Sequence, residues 1–147
     1  MEINEIIKDL RERNHMTQEQ MASRVLVTRQ AVSRWETGET QPNTDTLKLL
    51  SKEFNVSINT LLGSPRQLIC QCCGMPLSED ELISREPDGS FNEDYCKWCY
   101  ADGTFVYVSK DVLIDFLIGH MPNPGNLPEG ELRVQYDQYL SQLKRWK

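Results

Sequence analysis

Apolar residues in the first sixty positions recur three and four apart, in short runs divided by polar breaks, which predicts a series of small helices. Ile6, Ile7 and Leu10 define the inner face of a helix from Glu2 to Asn14, with Glu5, Lys8, Asp9, Glu12 and Arg13 outside. Thr17, with Gln20 three residues on, is a capping-box pair and opens a second helix that turns Met21, Ala22 and Val25 inward. The pattern breaks over Val25-Leu26-Val27-Thr28. Thr28 then caps a third helix running to about Glu36, with Val32 and Trp35 as its apolar side and Gly38 as its C-cap. A fourth helix starts at Asn43 or Thr44 and buries Leu47, Leu50 and Phe54. After a turn at Asn55, Val56 plugs the core and Ser57 caps a short fifth helix holding Ile58, Leu61 and Leu62.

Beyond Leu62 the pattern changes. Gly63-Ser64-Pro65-Arg66 reads as a linker, since Pro65 cannot continue a helix. The expected organisation is one domain over residues 1–63, a linker at 64–67 and a second domain over 68–147. Thr104 to Val108 alternates like a strand, and Asp88-Gly89 and Asp102-Gly103 are turn signals. Ser109 to Ile118 reads as a helix with Val112, Leu113, Phe116 and Leu117 inward. A proline-rich loop follows, and Pro128 starts a last helix whose stripe is Leu132, Tyr136, Tyr139, Leu140, Leu143 and Trp146. That stripe packs on the ribbon or the preceding helix, or else forms a dimer contact. The fold class is mainly α: five helices, then a small cysteine ribbon with two C-terminal helices.

Charge complicates any nucleic-acid reading, because the 147-residue chain carries a formal net charge of −6 and a phosphate-binding surface must be basic. Its distribution resolves the conflict. Residues 1–64 hold 8 Lys+Arg against 9 Asp+Glu, whereas residues 65–147 hold 8 against 13. Between Gln20 and Trp35 lie Arg24, Arg29 and Arg34 and no acid. No basic start followed by an apolar run suggests a leader, and the apolar run Val112 to Ile118 is short and contains Asp115. A soluble, cytoplasmic protein is expected, with its five cysteines reduced or metal-bound rather than in disulfides.

Arg29, Gln30, Ser33 and Arg34 are the polar remainder of the third helix. Arg can give two hydrogen bonds to guanine and Gln can pair with adenine, so this face suits base edges in a major groove. A solvated face in an ordinary helical bundle would show the same periodicity.

The cysteines carry the second signal. Cys70 and Cys73 form one C-x2-C pair, and Cys96 and Cys99 form another after an interval of 22 residues. Two such knuckles offer four thiolates to a tetrahedral Zn2+. A ribbon of roughly 40 residues buries too little apolar surface to fold alone, so a structural zinc supplies folding free energy. Four thiolates around Zn2+ leave a net negative charge, which needs N–H donors or cations such as Lys97 and Arg66. Iron or a thiol switch are the alternatives for the same cysteines, and Cys72 is a spare thiol. His15 and Met16 read as packing and capping residues rather than ligands.

From Ile3 to Leu62 the chain resembles the helix-turn-helix domain of the phage-repressor and Cro group, the xenobiotic-response-element (XRE) family of bacterial regulators. The residues that carry the likeness are Thr17 to Ala22, Val27 to Gly38, Pro42 and Leu61-Leu62. The resemblance implies that the helix from Arg29 enters the major groove of an operator while Gln18 holds a phosphate, and that the protein binds as a two-fold dimer. It also implies an ion pair between Arg11 and Glu36. The family commonly has Gly in the turn where this chain has Leu26. If that position is left-handed, Leu costs about 1 kcal/mol relative to Gly, and a remodelled turn is expected. Residues 68–147 resemble a bacterial zinc-ribbon family through Cys70 to Leu77, Asp88 to Ser90, Glu93 to Tyr100 and Leu143 to Lys147. That likeness implies fold and metal but no activity.

Together these readings describe a sequence-specific regulator of transcription, expected to be a repressor. Arg29, Gln30, Ser33 and Arg34 would touch bases, Gln18 and Thr28 phosphates, and Cys70, Cys73, Cys96 and Cys99 would hold zinc. Partners would be double-stranded DNA and a second copy of the chain, with no membrane. A metal- or redox-responsive sensor and an antitoxin-like protein-interaction module are the competing classes. An enzyme is not expected: the chain has two histidines, His15 and His120, no glycine-rich phosphate loop, and a saturated thiolate site leaves zinc no position for water.

Overall fold

Helix caps set the architecture of the first half. α1 (Ile3–Arg13) begins where Glu2 and Glu5 form a capping box, and α2 (Gln18–Arg24) begins where Thr17 and Gln20 do. The Thr17 hydroxyl accepts from the Gln20 amide at 3.1 Å, and the Gln20 side-chain oxygen accepts from the Thr17 amide at 2.8 Å. Thr28, Asn43 and Ser57 cap α3 (Arg29–Thr37), α4 (Thr44–Phe54) and α5 (Ile58–Leu61) in the same way. Each cap satisfies an N–H that the helix itself cannot. Left-handed residues end or join these helices at His15, Leu26, Gly38 and Asn55.

The computed structural model describes residues 1–147 and comprises two compact units that meet along the chain between Gln67 and Leu68, residues 89–91 apart. In the first unit Ile7, Met21, Val32, Leu50 and Leu61 are completely buried around Trp35 and Val56. Every helix contributes to that centre. Ile3 takes the buried place on α1 and Ile6 stays half-buried at its edge. Asn59, buried on α5, exchanges two bonds with the backbone of Arg66, at 3.0 and 3.3 Å. Residues just past Gly63 are thereby tied to α5.

The second unit begins with the first cysteine knuckle. β1 (Ile83–Arg85) and β2 (Phe91–Cys96) form one two-stranded sheet, and β3 (Tyr100–Ala101) pairs with β4 (Thr104–Phe105) in another. The register Tyr100 to Phe105 and Ala101 to Thr104 leaves Asp102-Gly103 as a two-residue turn, both with positive φ, as a type I′ hairpin requires. Tyr95, Tyr100 and Phe105 form an aromatic cluster with ring centres 4.9–5.7 Å apart. The strand expected over Thr104–Val108 is shorter than its alternation suggests. Val106 still bonds to Cys99, at 2.9 Å, but Val106 and Val108 lie in solvent.

α6 (Lys110–His120) and α7 (Glu129–Leu140) complete the unit. Two expectations are corrected there. α6 buries Leu113, Ile114 and Leu117, while Val112 and Phe116, expected inside, are exposed. The sequence around Leu113 is apolar on nearly every side, so periodicity could not select the face. α7 ends at Leu140 rather than continuing to Trp146; Leu143 is extended and Lys144–Trp146 form a single 3-10 turn. The predicted stripe is therefore broken after Leu140. Lys110–Asp137 at 2.8 Å and Arg133–Asp115 join α6 to α7.

Candidate nucleic-acid interface and metal centre

α3 presents one polar face. At about 100° per residue, Arg29, Gln30, Ser33 and Arg34 fall on the side opposite Val32 and Trp35. Arg29, Gln30 and Arg34 are exposed and Ser33 is half-buried. Thr28 is exposed, and its hydroxyl accepts from the Ala31 amide at 3.1 Å as the cap of the helix. Gln18 is half-buried at the start of α2, where its amide bridges two charged groups: it donates to Glu36 at 3.4 Å and accepts from Arg29 at 3.5 Å. Sequence reasoning did not anticipate that bridge, because it joins α2 to both ends of α3, over 11 and 18 positions of sequence.

Behind this face sits the Arg11–Glu36 pair. Arg11 Nε and one terminal nitrogen reach the two Glu36 oxygens at 2.8 and 2.9 Å, and the other terminal nitrogen donates to the Met16 carbonyl at 2.9 Å. The hydrogen bond to Glu36 holds the Arg11 pKa above its ordinary value, against the opposing effect of burial. Arg34 lies 3.8 Å from Glu39, both exposed, a separation and exposure at which an ion pair constrains little. Leu26, in the turn between α2 and α3, has φ 59° and is 82% exposed. The turn keeps its left-handed geometry; the expected remodelling does not occur.

In the second unit Cys70, Cys73, Cys96 and Cys99 bring their sulfurs within 4.8 Å of one another. Cys73 and Cys96 are 3.9 Å apart. Sulfurs about 2.3 Å from a tetrahedral ion would be separated by about 3.8 Å, so the cluster fits a metal with little adjustment. Three backbone amides aim at Cys70 Sγ: Cys96 at 3.3 Å, Cys72 at 3.4 Å and Cys73 at 3.5 Å. Hydrogen bonds from Cys73, Cys96 and Cys99 pull the Cys70 thiol down, while those with Cys70, Cys72, Cys73 and Cys96 push Cys99 up. Four neighbouring sulfurs cannot all ionise without a cation between them.

Backbone amides offset part of the charge on these sulfurs. Lys97 Nζ lies over the Trp98 ring, 4.8 Å from its centre. Gly74 (φ 80°) closes the first knuckle, and any Cβ there would meet the Tyr139 ring at 2.4 Å. Cys72 is completely buried beside the ligands, and its carbonyl accepts from Trp146 Nε1 at 2.9 Å.

A five-helix unit with a helix-turn-helix at α2–α3, followed along the chain by a four-cysteine ribbon, defines the class: a two-part protein with a helix-turn-helix domain and a zinc-ribbon-like module. The chain belongs to the family described as "Putative zinc ribbon domain", whose pattern matches residues 69–147, and residues 7–61 match the helix-turn-helix family. It is 47% identical over 63 residues to the HTH-type transcriptional activator BcrR of Enterococcus faecalis, covering 43% of this chain and 31% of that protein. The chain thus spans about a third of that relative. The structure of the P22 c2 repressor protein in complex with synthetic operator 9T, in the presence of Tl+, is similar over 44% of this chain and 97% of that one, with 33% identity and a TM-score of 0.42. The four-cysteine cluster of this family is a metal-binding site. No helix is long and apolar enough to cross a membrane.

Proposed function

We propose that the protein is a DNA-binding regulator of transcription, with domains at residues 1–63 and 68–147 and residues 64–67 between them. The observation that carries this reading is the α3 face: exposed Arg29, Gln30 and Arg34 with half-buried Ser33, on a helix fixed at one end by Thr28 and from behind by Arg11–Glu36. Inserted in a major groove, Arg29 and Gln30 reach base edges, with Ser33 and Arg34 following along the helix. Gln18 and the Thr28 hydroxyl stand at the N-termini of α2 and α3, where phosphates are favoured. The Gln18 bridge places the Arg29 guanidinium without locking it. Two copies bind an operator with two-fold symmetry.

The metal is structural Zn2+. Four cysteine ligands saturate a tetrahedral site and leave no position for substrate or water, which also argues against catalysis. Thiolates stay reduced in the cytoplasm, where the chain would meet its operator. The named relatives include an activator and a repressor, so the direction of regulation is a separate question from DNA reading. Random-site selection with the full chain, followed by binding of the selected duplex by the wild type and by Arg29→Ala, tests the proposal. Failure of the full chain to select any site would overturn it, and a selected site bound equally by both proteins would remove Arg29 from the reading face.

A further inference from the structure

Two of the three amides aimed at Cys70 Sγ have something in common. The Cys72 N–H shares a peptide plane with the Gln71 carbonyl, and the Cys73 N–H shares one with the Cys72 carbonyl. A trans peptide fixes N–H and C=O on opposite sides of one rigid plane, so whatever grips the carbonyl also aims the N–H. Both carbonyls are gripped by the same distant segment. The Arg145 amide donates to the Gln71 carbonyl at 3.0 Å, and Trp146 Nε1 donates to the Cys72 carbonyl at 2.9 Å.

That segment is itself held in place. The Lys144 amide donates to the Gln71 side-chain oxygen at 3.1 Å, and Lys144 Nζ meets Asp94 at 2.7 Å. The Arg145 guanidinium lies 4.1 Å from the Phe105 ring centre and 4.5 Å from that of Trp146. One turn upstream, the Tyr139 hydroxyl donates to the Gly74 carbonyl at 3.2 Å.

We infer that Lys144–Trp146 are positioning residues of the metal centre: by holding the Gln71 and Cys72 carbonyls they orient two amides onto the Cys70 thiolate and so set how tightly the metal is bound. A donor on the carbonyl also polarises the N–H on the far side of the same peptide. Amides aimed at the sulfur offset its charge, which the acidic second half of the chain does little to neutralise. Losing partners of this kind lowers metal affinity by about 10- to 100-fold. Conversely, metal loss releases the knuckle on which the segment docks, so occupancy and docking of the C-terminus rise and fall together. The inference rests on the metal-centre reading.

Cobalt(II) is the probe, because its spectrum reports sulfur ligation directly. The full chain, Trp146→Phe, a chain ending at Leu143 and the control Lys147→Ala are titrated with Co2+ and then made to compete with a chromophoric chelator. Trp146→Phe keeps an aromatic ring, though a smaller one, and deletes the N–H; it weakens Co2+ binding by about tenfold, and the shortened chain by up to about a hundredfold. In both, the sulfur-to-cobalt charge-transfer band shifts while the tetrahedral ligand-field bands remain, and Lys147→Ala matches the wild type. A purely packing role would leave that band in place. Trp146→Phe with affinity within about twofold of wild type and an unmoved charge-transfer band overturns the inference, whether or not the shortened chain folds. A wild type that takes up no Co2+ sinks the metal-centre reading and this inference together, a different signature from variants that bind as well as their parent.

Discussion

The Arg11 guanidinium holds both oxygens of Glu36 in a two-bond grip, with the Arg11 side chain 14% and the Glu36 side chain 5% exposed. The pair joins α1 to the far end of α3, and Gln18 extends the same network to Arg29. A carboxylate this enclosed is stable only while its partner is present. Arg11→Ala should therefore destabilise the first unit by about 3 kcal/mol, seen as a lower urea midpoint with an unchanged slope. Replacing both residues with leucine should recover much of the loss; a single mutant as stable as wild type would show the pair to be ornamental.

Leu26 sits in left-handed backbone with 82% of its surface in solvent. Its side chain supports no packing there, yet its Cβ opposes the conformation. Leu26→Gly should stabilise the first unit by about 1 kcal/mol, net of the entropy that glycine adds to the unfolded chain. Chemical denaturation checks this, and a lower midpoint for the glycine variant would show that the entropy glycine adds to the unfolded chain outweighs the strain it relieves.

Arg29→Ala and Gln30→Ala should each cost about 1–3 kcal/mol of binding to a selected operator and relax preference at a single base pair. Gln18→Ala should instead weaken binding to every sequence, because a phosphate contact carries no base information, with only a small further loss at the base pair that Arg29 reads, since the 3.5 Å bridge to Arg29 is weak. Fluorescence anisotropy on the selected duplex and on a scrambled one separates the two classes. Equal losses on both duplexes for Arg29→Ala would remove it from the base-reading set.

Much of the first unit was legible in the sequence because caps and apolar spacing agree there. Thr17, Thr28, Asn43 and Ser57 each start the helix they announce, and Met21, Val32 and Leu50 fall inside as their spacing requires. The cysteine spacing likewise foretold a cluster that the fold assembles. What stayed hidden was non-local or non-periodic. α6 is apolar all round, so nothing in its pattern marks Ile114 as buried and Phe116 as exposed. Trp146 follows Tyr139 and Leu143 at helical spacing, yet the chain leaves the helix at Leu140 to reach the Cys72 carbonyl. No local signal records a hydrogen bond to a residue 74 positions away.

Metal removal should unfold one unit and spare the other. The first unit has its own core around Ile7, Met21, Val32 and Trp35, whereas the ribbon strands are two to six residues long and too short to stand alone in water. Binding free energy at such a site is folding free energy. A strong chelator should therefore abolish the near-ultraviolet signal of the second unit while thermal unfolding of the first, followed through Trp35 in a Trp98→Phe/Trp146→Phe background, keeps its midpoint. Cys73→Ser should behave like the chelated protein, because a serine hydroxyl does not ionise to replace a thiolate near neutral pH. Atomic spectroscopy should find about one zinc per wild-type chain and almost none in Cys73→Ser. Full metal content in that variant would remove Cys73 from the ligand set and leave the buried Cys72 as the sulfur to test in its place.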